Sequence, residues 1–85
     1  MNHIIHHHLD TAGLLCPEPL MLLHKAVREL ECGQIIEVIA TDPSTERDIP
    51  KFCTFLGHKL LLQEKRSGDL YVYQIEKGEN KVGKK

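Results

Sequence analysis

Residues 16–41 read CPEPLMLLHKAVRELECGQIIEVIAT, and this stretch decides the fold. Between Pro17 and Glu31, the apolar residues Leu20, Leu23, Val27 and Leu30 recur at spacings of three, four and three, which lays one stripe along a helix. Gly33 follows at once, where a helix commonly ends on a left-handed residue. From Ile35 to Thr41 the period changes. Ile36, Val38 and Ala40 fall on one side and Glu37 on the other, so this segment reads as a strand.

Working outward, Ile4, Ile5 and Leu9 support a short strand within the segment from His3 to Leu9. Asp10 to Leu15, which holds Gly13, reads as a loop. Strand, helix and strand then make a right-handed crossover unit, so the two strands should be parallel. Downstream, Asp42-Pro43-Ser44 marks a turn. A second helix is predicted from about Ile49 to Leu56, with Ile49, Phe52, Cys53 and Leu56 as its buried stripe. Asp48 is its expected N-cap, Pro50 fits the first turn, where a missing N–H does no harm, and Gly57 ends it. Lys59–Arg66 and Leu70–Lys77 read as strands joined at Ser67-Gly68-Asp69. The order βαβαββ predicts an α/β (α+β) two-layer sandwich, a four-stranded mixed sheet with both helices on one face. Residues 1–78 form a single domain on this reading. Residues 79–85 have almost no apolar content and are expected to be a mobile basic tail.

A chain of 85 residues buries roughly 60–65% of the surface it would expose unfolded, enough for one core and no deep substrate cavity beside it. Small substrates or other proteins are the expected partners. The net charge of -1 and pI of about 6.6 disfavour direct nucleic-acid binding, which usually shows a strongly basic face. No apolar run approaches membrane-spanning length, so no membrane association is expected. The odd count of three cysteines argues against a disulfide framework, and a cytoplasmic protein with free thiols is expected.

The chemistry gathers at one sheet edge. Two parallel strands end at the same side; the loop with Cys16 follows the first, and the loop with Asp42, Arg47 and Asp48 follows the second. Sites in open α/β sheets tend to lie at this carboxyl edge, which makes Cys16 and Arg47 expected neighbours. Cys16 directly precedes the first helix, where the positive end of the helix dipole favours a thiolate. Pro17 and Pro19 fix the first turn and remove two donors, so the Glu18 N–H is the chief donor expected at the sulfur. The Glu18 carboxylate opposes the thiolate if it lies close. An inert cysteine capping a helix is the plain alternative. Cys53 falls on a buried stripe and reads as core. Cys32 carries no catalytic mark, and no pair forms C-x-x-C. His3, His6 and His8 lack a completed ligand set, so no designed metal site is expected. Met21, Lys25 and Arg28 follow i, i+4, i+7 on the outer side of the first helix. They are either a docking stripe leading from Cys16 or an ordinary solvated face.

Leu9-Asp10, Gly13-Leu14 and Cys16-Pro17-Glu18-Pro19 resemble the opening motif of the TusA (SirA-like) sulfur-carrier family. The resemblance continues through Asp42-Pro43, Arg47-Asp48-Ile49-Pro50, Phe52-Cys53 and His58, and covers roughly Leu9 to Gly78. It implies that Cys16 accepts the terminal sulfur of a persulfide from a cysteine desulfurase. The sulfur then passes to downstream sulfur-relay proteins, toward 2-thiolation of the wobble uridine in certain tRNAs. It implies no cofactor on the chain itself. Because the carrier cysteine must enter a partner's site, the carboxyl-edge argument nominates Glu18, Asp42, Arg47 and Asp48 for docking, and the stripe on the first helix adds Met21, Lys25 and Arg28; a monomer is expected when free. The histidine-rich start, the lysine-rich end and Cys32 depart from the family pattern. Two other functions compete: a thiol redox or peroxidase-type protein, which normally needs a resolving cysteine or a dedicated base, and a nucleic-acid-binding regulator.

Overall fold

Period-two burial in the strands and period-3.6 burial in the helices meet in one core. The computed structural model describes residues 4–78. Along it run β1 (His7–Thr11), α1 (Glu18–Arg28), β2 (Ile35–Ala40), α2 (Thr45–Leu56), β3 (Lys59–Arg66) and β4 (Leu70–Glu76). The sheet order is β1-β2-β4-β3. β1 runs parallel to β2, with His7 opposite Ile36 and Thr11 opposite Ala40. β4 is antiparallel to both β2 and β3. Ile36, Val38 and Ala40 of β2 point into the core together with Tyr71, Tyr73 and Ile75 of β4. The same core takes Leu23, Ala26 and Val27 from α1 and Ile49, Phe52 and Cys53 from α2. Both helices therefore cover one face of a mixed sheet, as the sequence predicts.

Three elements differ from the sequence reading by two residues or more at an end. β1 lies later than His3–Leu9, because its parallel register against β2 carries it on to Thr11, whose hydroxyl donates to the Ile39 carbonyl at 2.7 Å. α1 stops at Arg28 instead of Glu31. Glu29 and Leu30 bond back to Ala26 and Val27, three residues away, which tightens the last turn. Gly33, at φ 91°, therefore serves the following turn rather than the helix end, and its N–H donates to the Lys77 carbonyl at 2.8 Å.

The third difference bears most on the site. α2 begins at Thr45, so Asp48 is a helical residue and not the N-cap. Its N–H already bonds the Ser44 carbonyl at 2.9 Å. Pro50 consequently sits in the helix interior, where its missing N–H leaves the Glu46 carbonyl without its helical donor. The Gln63 side-chain amide of β3 donates to that carbonyl at 3.1 Å. A tertiary hydrogen bond thus replaces the one proline removes. The predicted tail at 79–85 lies outside the described residues.

Candidate functional site

The loop after β1 is stitched to the loop after β2. Gly13, at φ 85°, makes a turn that only a glycine adopts easily, and its N–H donates to Thr41 Oγ1 at 2.9 Å. The Cys16 N–H then donates to Asp42 Oδ2 at 2.6 Å, and the Cys16–Pro17 peptide is cis. Cys16 is left exposed at the carboxyl edge of the parallel pair.

The sulfur's polar neighbour is not the one expected from sequence. The Glu18 N–H is taken by the Leu15 carbonyl at 2.9 Å, and Pro19 has none to offer. Instead the Cys16 thiol points at Asp48, with Sγ 3.8 Å from Oδ2. The other oxygen of Asp48 lies 3.5 Å from Arg47 Nε. Arg47 is therefore one residue removed from Cys16, in contact with Asp48 rather than with the sulfur.

Asp42, nominated from sequence as a rim residue, is only 8% exposed and holds the site from below. One oxygen accepts the Ser44 N–H at 3.1 Å; the other accepts the Ser44 hydroxyl at 2.9 Å as well as the Cys16 N–H. The Ser44 N–H most of all, then the Cys16 N–H and the Ser44 hydroxyl, hold its carboxyl below the ordinary 3.8, with Arg47 adding a smaller push and burial opposing. Behind it the Thr45 hydroxyl donates to the Asp42 carbonyl at 2.7 Å and lies 2.8 Å from the Tyr73 hydroxyl. Thr45 has one proton to give, so Tyr73 is the donor in that second bond. A buried polar chain runs from Tyr73 in the sheet through Thr45 and Asp42 to the backbone of Cys16.

The other candidates lie elsewhere. Glu18, Met21, Lys25, Arg28 and Arg47 are exposed. Cys32 is exposed beyond the end of α1. Cys53 is 2% exposed, and burial pushes its thiol up to about 11, which fits a core residue. His6 Nδ1 accepts the Ile35 N–H at 3.0 Å, and His8 lies 3.7 Å from Glu37. Among the described residues no three His, Cys, Asp or Glu side chains gather as a metal would require. One surface escaped sequence reading. Leu20 of α1 and Pro50, Phe55 and Leu56 of α2 line an open apolar groove of about 720 Å³. Leu20 and Asp48 belong both to this groove and to the small hollow around Cys16. Phe55 is 75% exposed. Its place three residues after Phe52 was the available signal, masked by the stronger stripe through Cys53 and Leu56.

The family model described as Sulfurtransferase TusA matches residues 7–77. The chain belongs to the TusA family. A protein called sulfur carrier protein TusA from Pseudomonas entomophila is 64% identical over 69 residues, covering 81% of this chain and 85% of that protein. Its counterpart in Pseudomonas aeruginosa is 56% identical over 77 residues, covering 91% and 96%. The crystal structure of a SirA-like protein from Desulfitobacterium hafniense superposes with a TM-score of 0.76 at 23% identity, covering 86% of this chain and 99% of that one. At that identity the likeness shows the fold. The TusA matches carry the function class, a sulfur carrier that needs a donor and an acceptor. Among the described residues no helix is long and apolar enough to cross a membrane.

Proposed function

We propose that this chain carries sulfur as a persulfide on Cys16. A cysteine desulfurase supplies the sulfur, and downstream sulfur-relay proteins receive it, with 2-thiolation of the tRNA wobble uridine as the end of the route. The observation that carries this reading is the setting of Cys16: an exposed sulfur on a backbone fixed by Asp42, with Cys53 buried and Cys32 beyond the far end of α1. No resolving cysteine stands beside it, so a persulfide formed there is not at once consumed as an internal disulfide.

Transfer is a thiol exchange. The Cys16 thiolate attacks the terminal sulfur of the donor's persulfide. A new S–S bond forms to Cys16, the donor's S–S bond breaks, and the donor cysteine leaves as thiolate. No net oxidation occurs and no cofactor is needed on this chain. Asp48 orients the thiol, and Arg47 holds Asp48. Because Cys16 must enter a partner's site, the adjoining surface must dock. The apolar groove of Leu20, Pro50 and Phe55 continues into the Cys16 hollow and is the surface assigned to the sulfur donor. Glu18 and Lys25 are assigned to its charged rim, where charges govern encounter rate, and the exposed Met21 adds apolar surface between them. Asp42 has a supporting part instead.

The test is intact-protein mass spectrometry after incubation with a cysteine desulfurase and cysteine. The parent and Cys32→Ser should gain the mass of one sulfur atom, reversible by thiol reductant, and Cys16→Ser should gain nothing. Equal loading of Cys16→Ser would place the carrier site elsewhere.

A further inference from the structure

A second cavity of about 230 Å³ lies toward the other end of α1 from Cys16. Four basic side chains line it: His24 and Arg28 from α1, His58 just before β3, and Lys77 just after β4. Its floor is Val27, Phe52 and Leu56, and no carboxylate lines it among the described residues. Cations in the last turn of a helix are ordinarily explained by the helix dipole. That explains Arg28, but it does not explain why His58 and Lys77 converge on the same hollow from two other elements.

Three of the basic groups, His24, His58 and Lys77, are held by neighbours. Phe52 is a platform between the imidazoles, with its ring centroid 4.7 Å from that of His24 and 5.6 Å from that of His58. His58 Nδ1 accepts the Gly78 N–H at 3.1 Å, which assigns the ring proton to Nε2. A Cβ at position 78 would collide with the Gly57 carbonyl, so this corner is closely packed. Lys77 Nζ donates one hydrogen bond, to the Leu30 carbonyl at 2.6 Å, and an ammonium has two more to give. Arg28 is exposed and makes no ion pair among the described residues.

We propose that this cavity binds a phosphate-type oxyanion. Arg28 and Lys77 carry two permanent charges, which match a group of about -1.5 to -2 at neutral pH better than a single carboxylate does. Arg presents a planar fork suited to such oxygens, and the imidazole N–H groups add neutral donors. The hollow is far larger than the ~30 Å³ share of one liquid water, so it has room for a tetrahedral ion. The cavity shares His24, Phe52 and Leu56 with the apolar groove but does not include Cys16, and its proposed ligand goes beyond the sulfur-carrying role.

The experiment is an NMR titration of the full chain with inorganic phosphate at constant ionic strength, read at the histidine ring resonances. His24 and His58 should shift and saturate together. Burial first, then Lys77 and His24, hold His58 below its ordinary 6.5. The titratable and charged groups facing it are Lys77, just after β4, and His24 and Arg28 from α1, and α2 contributes only apolar side chains to the cavity. A bound dianion favours the imidazolium, so the His58 titration should move upward with phosphate present. Arg28→Glu, a change at an exposed position, should weaken binding by about tenfold or more. Lys25→Glu on the same helix, outside the cavity, should change it less than about twofold. Cys16→Ser should bind as the parent does, whatever becomes of its sulfur loading. Glycerol 3-phosphate and adenosine monophosphate distinguish the source: tighter binding than inorganic phosphate supports a phosphate ester resting on the apolar floor, and equal binding supports the free ion. Shifts that rise linearly without saturating, or that survive Arg28→Glu unchanged, overturn the proposal. So does an equal loss in Lys25→Glu, which would mark a diffuse response to charge.

Discussion

Replacing Tyr73 by Phe tests the buried chain that supports Cys16. Tyr73 is fully buried and Thr45 is 2% exposed, so neither hydroxyl can turn to water. Tyr73→Phe removes a donor from Thr45 Oγ1, yet Thr45 still donates to the Asp42 carbonyl. One hydrogen bond is lost and no donor is orphaned, so the cost is about 1 kcal/mol. Thr45→Val is worse. It strands the Tyr73 hydroxyl in the core and removes the bond to Asp42, for about 2–3 kcal/mol. The double variant no longer strands a donor, and its loss should fall short of the sum by about 1 kcal/mol. Urea unfolding at constant slope gives the three free energies, and in a domain of this size each kcal/mol corresponds to about 4–8 °C in Tm. Alkylation of Cys16 in Tyr73→Phe should match the parent, because the side-chain grip of Asp42 is untouched. Additivity of the two losses within about 0.5 kcal/mol, or a larger loss in Tyr73→Phe than in Thr45→Val, would refute the donor order assigned to this chain.

Three further outcomes are expected. In the native state a thiol reagent should modify Cys53 far more slowly than Cys16. With its thiol at about 11 against an ordinary 9.0, Cys53 offers ~100-fold less thiolate near neutral pH than an ordinary thiol, and burial slows it further; equal rates would show that the α2 face is wrongly placed. The stability that Asp42 contributes should be complete above its unfolded value near 3.8 and disappear as pH falls through the lower folded value. The gap between parent and Asp42→Asn in urea midpoint should therefore narrow in acid, and a gap that widens there contradicts the reading. Isolated protein should show no steep salt-dependent affinity for tRNA, and a log–log slope of several units in a filter-binding assay would return the nucleic-acid regulator to contention.

Element types were legible because two periods of burial are written plainly in residues 16–41. The N-terminus of α2 was misread for a definite reason. Pro50 looked like a first-turn proline because the donor that compensates for it, Gln63, lies on a different element, and local pattern carries no trace of that bond. The position of Cys16 at the sheet edge followed from the parallel crossover. Its partners did not. Which of Asp42, Arg47 and Asp48 turns inward depends on the Asp42–Ser44 turn and on helix phase from Thr45, both set by the true helix start. With α2 begun four residues too late, Asp42 was assigned to the rim and Asp48 to a cap. The basic cavity was invisible for a related reason: His24, Arg28, His58 and Lys77 come from three separate segments and meet only after folding.

The bond from Gln63 to the Glu46 carbonyl makes positions 50 and 63 two answers to one question. With proline at 50, an amide on the edge strand closes the gap in the helix. With an N–H-bearing residue at 50, the helix closes it unaided and position 63 is released for another side chain. Exchanges at the two sites should therefore rescue one another. Pro50→Ala should make Gln63→Leu nearly free, whereas Gln63→Leu alone loosens the turn of α2 that presents Asp48 to the sulfur.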